Sequence, residues 1–291
     1  MNKLDSNDIT SNYKYHIGAV SFLNARPLLH GLETHRDIKV TRAAPSLLGT
    51  NLDDGTFDCA LVPSIDYQNS ETNWVIAPAH CIGSDGPVLT VKVLSKVPLD
   101  KITRIGCDLD SHTSIVLTKI LWQEQFGIAL ETVPLNGEID QCEAILLIGD
   151  KVLKYSGRWA YECDLGQLWQ KMTGFPFVYA FWALPENKNS DHLITCLSAA
   201  ATSGITHLDD IATTFGHKHG FDKQLALEYF EHYLSFTFDD NAISGLKCFY
   251  NLAYKWQLIE KNRDVIMYKM NPAQKTVLNS KAQKNNTCSI K

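Results

Sequence analysis

Nothing in the 291-residue sequence approaches the roughly 18 consecutive apolar residues of a membrane-spanning helix, so no span is expected. The opening run MNKLDSNDITSNYKYHIGAV has no continuous apolar stretch ahead of its polar and charged residues, which argues against a secretory leader. No Cys-x-x-Cys pair occurs among the eight cysteines, Cys59, Cys81, Cys107, Cys142, Cys163, Cys196, Cys248 and Cys288. They scatter through apolar runs, so reduced and mostly buried thiols are expected. No metal site is expected, since one would need clustered ligands. There is no Gly-x-Gly-x-x-Gly and no Gly-x-x-x-x-Gly-Lys-Ser/Thr, so neither dinucleotide nor P-loop binding is signalled. Basic charge is also short: 27 Lys and Arg against 32 Asp and Glu leave a net charge of −5, the wrong sign for a general nucleic-acid binder. The working expectation is a reduced, cytoplasmic, soluble protein with no nucleic-acid or membrane partner, monomeric or homodimeric.

What is present is an ordinary globular composition, 45% hydrophobic and 20% charged. The length suits two domains of roughly 100–150 residues each. From Pro272 the chain turns to Asn, Gln, Ser and Lys without aromatics or acids, and a disordered tail over 271–291 is expected.

Short β-type runs alternate with helix-type runs through the first two thirds. Tyr15–Val20, Ile38–Arg42, Phe57–Val62, Val88–Ser95, Arg104–Cys107, Glu131–Leu135, Ala144–Ile148 and Phe177–Ala183 read as strands. Helices are expected at Pro27–His35, Ser46–Leu52 and Leu165–Met172. Ser111–Phe126 is the clearest amphipathic one, with Ile115, Leu117, Ile120, Leu121 and Trp122 on its apolar side. After Pro185 the chain becomes helical, at Asp191–Ser203, Leu208–Phe215, Lys223–Leu234 and Asn241–Trp256. This order predicts two α/β lobes facing a cleft, one from 14–97 and 185–270 and the other from 98–184. The hinges are expected near Ser95–Lys101 and Leu184–Asn189, where the chain is polar and contains proline.

In open α/β sheets ligands bind at the carboxyl ends of strands, beside helix N-termini. The junctions there are Ser21 to Pro27, Pro63-Ser64-Ile65, Gly83-Ser84-Asp85-Gly86, Asp110-Ser111-His112-Thr113-Ser114 and Gly149-Asp150. Each reads equally well as turn or cap chemistry. Five on one rim favour a small anionic or polyhydroxylated ligand, held by N–H groups, hydroxyls and Arg26. Asp85, Asp110 and Asp150 are candidate bases, although turn-forming Asp is the commoner case. His112 is the one histidine at a cleft junction, and His217-Lys218-His219 resembles a metal pair only superficially.

The segments IGAVSFLNARPLLHGLE, DCALVPSIDY, IGSDGPVLTVKVLS, DSHTSIVLTKILW, AILLIGDKVL and DLGQLWQKMTGFPFVYAFWA resemble, in that order, the menaquinone-biosynthesis chorismate dehydratase family. The resemblance covers Tyr15–Ala183 strongly and the C-terminal helices more loosely. It implies a two-lobed type II periplasmic-binding-protein-like α/β fold with the ligand cleft between the lobes. It also implies a reaction that opens the futalosine route. Chorismate loses its ring hydroxyl and the adjacent ring hydrogen as water, giving 3-[(1-carboxyvinyl)oxy]benzoate without metal or organic cofactor. The substrate's own side-chain carboxylate serves as the base.

Carried over by motif, Asn24 is the catalytic candidate, through an amide that polarises the departing hydroxyl or orients the carboxylate. Ser84, Thr113 and Ser114 are implied carboxylate ligands, with Ser64 a fourth. Phe22 and Ala25 stand where the family commonly has Tyr and Thr. A sister family that makes the dihydroxynaphthoate ring has a catalytic His after the strand at Ala144–Ile148, where this chain has Gly149-Asp150. A non-catalytic small-anion binder or cytoplasmic sensor on the same fold remains an alternative.

Overall fold

The computed structural model describes residues 13–108, 111–135 and 139–271. The expected tail therefore lies almost wholly outside the described residues, as do Asp110 and Cys288. The chain runs β1 (Tyr15–Ala19), β2 (Ile38–Arg42), α1 (Pro45–Asp53), β3 (Cys59–Pro63), α2 (Asp66–Asn69), β4 (Trp74–Ser84) and β5 (Val91–Ser95). It continues through β6 (Arg104–Cys107), α3 (His112–Phe126), β7 (Glu131–Pro134), β8 (Ala144–Ile148), α4 (Val152–Tyr155), β9 (Tyr161–Asp164), α5 (Leu165–Thr173) and β10 (Phe177–Pro185). It ends in α6 (Asp191–Thr206), α7 (Leu208–Phe215), α8 (Lys223–Glu228) and α9 (Asp240–Lys255).

Two five-stranded sheets result, ordered β2-β1-β3-β10-β4 and β7-β6-β8-β5-β9. They are built alike. In each, the fourth strand in order runs antiparallel to its neighbours and the described pairs among the first three are parallel. That antiparallel strand is the one that has just arrived from the other sheet. The joining segments are therefore 85–90 and 165–176, displaced from the hinges expected at 95–101 and 184–189. Strand pairing decides sheet membership, and composition does not report pairing. Polar, proline-containing stretches mark turns wherever they fall.

Asp164 ties the two joining segments together. Its carboxylate caps α5 through the Gln167 N–H and accepts the N–H groups of Val88 and Leu89 at 2.8–3.1 Å. Leu89 has φ +69°, a left-handed conformation costly for a branched side chain, and these bonds hold it there. Burial pushes the Asp164 carboxyl up, and its hydrogen bonds pull it down.

Burial follows the expected pattern. β3 and β8 are buried along their whole lengths, as strands covered on both faces must be. Trp122, Trp169 and Trp182 are fully buried, and Trp169, Phe177 and Phe249 meet edge to face at 5.0–6.2 Å. The C-terminal segment returns to the first sheet, where Ile76 exchanges backbone bonds with Ile266 and Tyr268 at 2.8 Å. Seven described cysteines are free, four of them buried, and burial pushes the Cys107 and Cys163 thiols up to about 12. No described helix is long and apolar enough to cross a membrane.

Some elements depart from the sequence reading. Pro27–His35 is a chain of 3-10 turns, because Gly31 at φ +76° interrupts it before a full α turn can propagate. β4 has no counterpart among the expected strands. Pro78 lies inside it, where the pairing with β10 shifts register between Phe181 and Ala183, so the missing N–H breaks no ladder rung. The helix expected over Lys223–Leu234 ends at Glu228 and passes into a π-helical turn, Tyr229–Tyr233.

Candidate functional site

Between the sheets lies a pocket lined by residues that follow strands of both. It opens where the strands end, with Val20 after β1, Pro63 at the end of β3 and Ile148 at the end of β8. Tyr179 enters from the opposite direction because β10 is antiparallel. Most of the remaining wall is apolar. Phe22 packs on Gly149, whose φ of +64° and lack of a Cβ permit the approach: a Cβ there would stand 2.8 Å from a Phe22 ring carbon.

One end of the pocket is the start of α3. Ser111, His112, Thr113 and Ser114 all line it. The first turn of a helix leaves N–H groups without intrahelical partners and a positive dipole end, so an anion is favoured there. Thr113 is fixed by structure: its Oγ1 accepts the Ile65 N–H at 3.2 Å and lies 3.5 Å from Ser64 Oγ. His112 Nδ1 lies 2.9 Å from Asp66 Oδ1. Burial pushes the Asp66 carboxyl up, and His112 pulls it down. The pair fixes the imidazole at the pocket rim.

Another part of the wall carries Asn24 and Thr90. Asn24 sits inside the 3-10 turn Leu23–Ala25 that follows β1, and Thr90 closes the joining segment before β5. Behind them is Tyr229, fully buried, with its hydroxyl 2.7 Å from Thr90 Oγ1. Burial pushes the Tyr229 phenol far up, so it stays protonated.

Of the residues singled out in the sequence, Asn24, Thr113, Ser114 and His112 are brought together around this pocket. Ser64 and Ser84 lie behind its lining. Ser64 is wholly buried, and its carbonyl accepts the Tyr250 hydroxyl at 2.6 Å. Ser84 donates to the Gly86 carbonyl and stands 3.4 Å from the hydroxyl of Tyr179, a residue that lines the pocket. Arg26 points elsewhere: its guanidinium lies 4.3 Å over the Phe215 ring and 3.6 Å from Glu33. Asp85 is exposed. Asp150 is engaged by Leu23 N–H and by His219, which accounts for one histidine of the His217-Lys218-His219 run. Thr90, Tyr179 and Tyr229 escaped the sequence reading. None follows a strand end in a recognisable turn, and only the sheet exchange brings them together.

A family model described as menaquinone biosynthesis matches residues 15–255. The chain belongs to this family. The chorismate dehydratase of Thermus thermophilus is 26% identical over 256 residues, covering 81% of this chain and 93% of that protein. Among solved structures, a protein of Archaeoglobus fulgidus superposes with a TM-score of 0.69 at 14% identity, covering 84% of this chain and 98% of its own. The periplasmic aliphatic sulphonate binding protein of Escherichia coli gives a TM-score of 0.61 at 14% identity, covering 88% and 92%. This chain and the sulphonate binding protein thus share one architecture. The fold of this chain is the periplasmic-binding-protein fold, α/β with two mixed sheets.

Proposed function

We propose that the chain is a chorismate dehydratase of the futalosine route to menaquinone, converting chorismate to 3-[(1-carboxyvinyl)oxy]benzoate and water. The named activity of the Thermus relative and the family match support this reading. The observation that carries it is the pairing, in one mostly apolar pocket, of a helix start bearing Thr113 and Ser114 with the Asn24 amide. Chorismate is a dianion with one ring hydroxyl, and the two features suit a carboxylate and a hydroxyl respectively.

No lysine or arginine is among the described residues lining the pocket. A substrate carboxylate away from α3 therefore meets no lysine or arginine there and keeps its basicity. In this reading it takes the ring hydrogen beside the hydroxyl-bearing carbon. The C–H pair becomes a ring double bond, the C–O bond breaks, and the departing oxygen receives the proton and leaves as water. Aromatisation drives the step. The chain contributes placement of the reacting groups and fixed dipoles, both of which lower barriers when the geometry is right. The lobes carrying the two sheets close on the substrate, in the cytoplasm and without a cofactor.

The test is incubation of purified protein with chorismate in chelator-treated buffer without added cofactor. An aromatic product lighter than chorismate by one water is expected. Tight binding with chorismate recovered unchanged would replace the reading with that of a small-anion binder. Turnover of the cyclic futalosine product instead would favour the sister reaction.

A further inference from the structure

Away from the pocket, one cysteine stands between two imidazoles. Cys196 and His192 are four positions apart on α6 and so share one face of it, with Cys196 Sγ 3.8 Å from His192 Nε2. His35, which ends the 3-10 turn Leu32–Thr34 ahead of β2, places its own Nε2 3.8 Å from the same sulfur. Both ring hydrogens can be assigned. The Asp37 N–H donates to His35 Nδ1 at 3.2 Å, so that nitrogen carries no hydrogen and the neutral ring bears it on Nε2. His192 Nε2 lies 3.7 Å from Asp37 Oδ2; beside a carboxylate, which can only accept, this nitrogen too carries a hydrogen. Two N–H donors therefore converge on one sulfur.

We propose that Cys196 is a reactive-thiol site that exchanges with small disulfides. A thiolate accepts from both imidazoles at once, so the arrangement is complementary to the form of sulfur that attacks. In the exchange the Cys196 sulfur gives up its proton and bonds to one sulfur of the disulfide. The disulfide's own S–S bond breaks, and its other half takes a proton and leaves as a thiol. Cys196 is oxidised and the leaving half is reduced. Access fits this use, since Cys196 is only partly buried and His192 is exposed. Burial instead pushes the thiols of Cys59, Cys81, Cys107, Cys163 and Cys248 up, which suppresses their thiolates. No group of three or more described His, Cys, Asp or Glu side chains is placed to hold a metal ion, so thiol chemistry is what this cluster can supply. The site is also separate from the dehydratase reading: none of Cys196, His35, His192 and Asp37 lines the pocket.

The experiment treats the reduced full chain with a limiting amount of glutathione disulfide near neutral pH and maps the adduct by peptide mass spectrometry over time. Cys196 should carry the mixed disulfide before Cys142, Cys248 and Cys288 do, and dithiothreitol should remove it. His35→Phe and His192→Phe each take one N–H from the sulfur, and each should slow modification of Cys196 about threefold. A tenfold loss of thiolate is partly offset, because the more basic thiolate is about threefold more nucleophilic. The mapping on the unsubstituted protein needs no variant, and His192→Phe changes an exposed position, so it carries the comparison if His35→Phe does not fold. A first adduct on any other cysteine, or an unchanged rate in either folded variant, would overturn the proposal.

Discussion

His219 Nδ1 lies 2.6 Å from Asp150 Oδ2, and the other oxygen of Asp150 accepts the Leu23 N–H at 3.3 Å. Asp150 follows β8 of the second sheet, Leu23 follows β1 of the first, and His219 comes from the C-terminal helical region. One carboxylate thus fastens three parts of the chain across the cleft. A hydrogen bond to a charged group is worth about 1.5–3 kcal/mol, enough to shift a balance between open and closed forms. His219→Gln should enlarge the radius of gyration of the ligand-free protein in solution scattering. Ligand at saturation should restore the compact form. Identical profiles for variant and unmodified protein would show that the contact does not govern closure.

Ser114 isolates the anion-binding role of the α3 start. Thr113 is a poor probe, because its oxygen also accepts the buried Ile65 N–H, and Thr113→Ala would strand that donor. Ser114 lines the pocket. Ser114→Ala should weaken chorismate binding by about 1–3 kcal/mol with little change in melting temperature. Calorimetry that returns the affinity of the unmodified protein would place the carboxylate elsewhere.

Stability should depend on pH through His80. Burial alone pushes its imidazole below the ordinary value of 6.5, and its Nδ1 has no hydrogen-bond partner. The unfolded chain therefore takes up a proton before the folded chain does. Stability is complete above pH 6.5 and falls as the pH drops through 6.5 toward the lower folded value. His16, also lowered mainly by burial, adds a slope of the same sign. His80→Gln should flatten the fall in melting temperature between about pH 7.5 and 5. A slope equal to that of the unmodified protein would assign the dependence to other groups.

Much of the scaffold was legible because its signals are local. The β8 run Ala144–Ile148 is uninterrupted and apolar, and α7 has the bounds its pattern predicts. Asn24, Thr113 and Ser114 follow strands or open a helix, where ligand chemistry is expected. Thr90 and Tyr229 were illegible for the opposite reason. They are separated by 139 positions in the chain, and each alone reads as core or turn. The same holds for Asp164, whose carboxylate looks like an ordinary N-cap and also holds the other joining segment. Ser84 shows the reverse error of local reading, a turn serine whose hydroxyl is spent on Gly86 and Tyr179.

Asn24→Asp separates a chemical role from a structural one. Capping is not available as an explanation, since Asn24 sits within its 3-10 turn and the N-cap position is Phe22. The substitution keeps the shape and an acceptor oxygen, and it removes the Nδ2 donor. Folding should survive, with a melting temperature near that of the unmodified protein. The charge is another matter. Two like charges about 4 Å apart at an effective dielectric of about 20 repel by roughly 4 kcal/mol. Against a dianionic substrate this lowers kcat/KM by on the order of 10³-fold, since 1.36 kcal/mol is tenfold in rate. Steady-state rates and a melting curve on this one variant decide the matter. A folded, nearly inactive protein places Asn24 in the chemistry, and a folded, fully active one removes it.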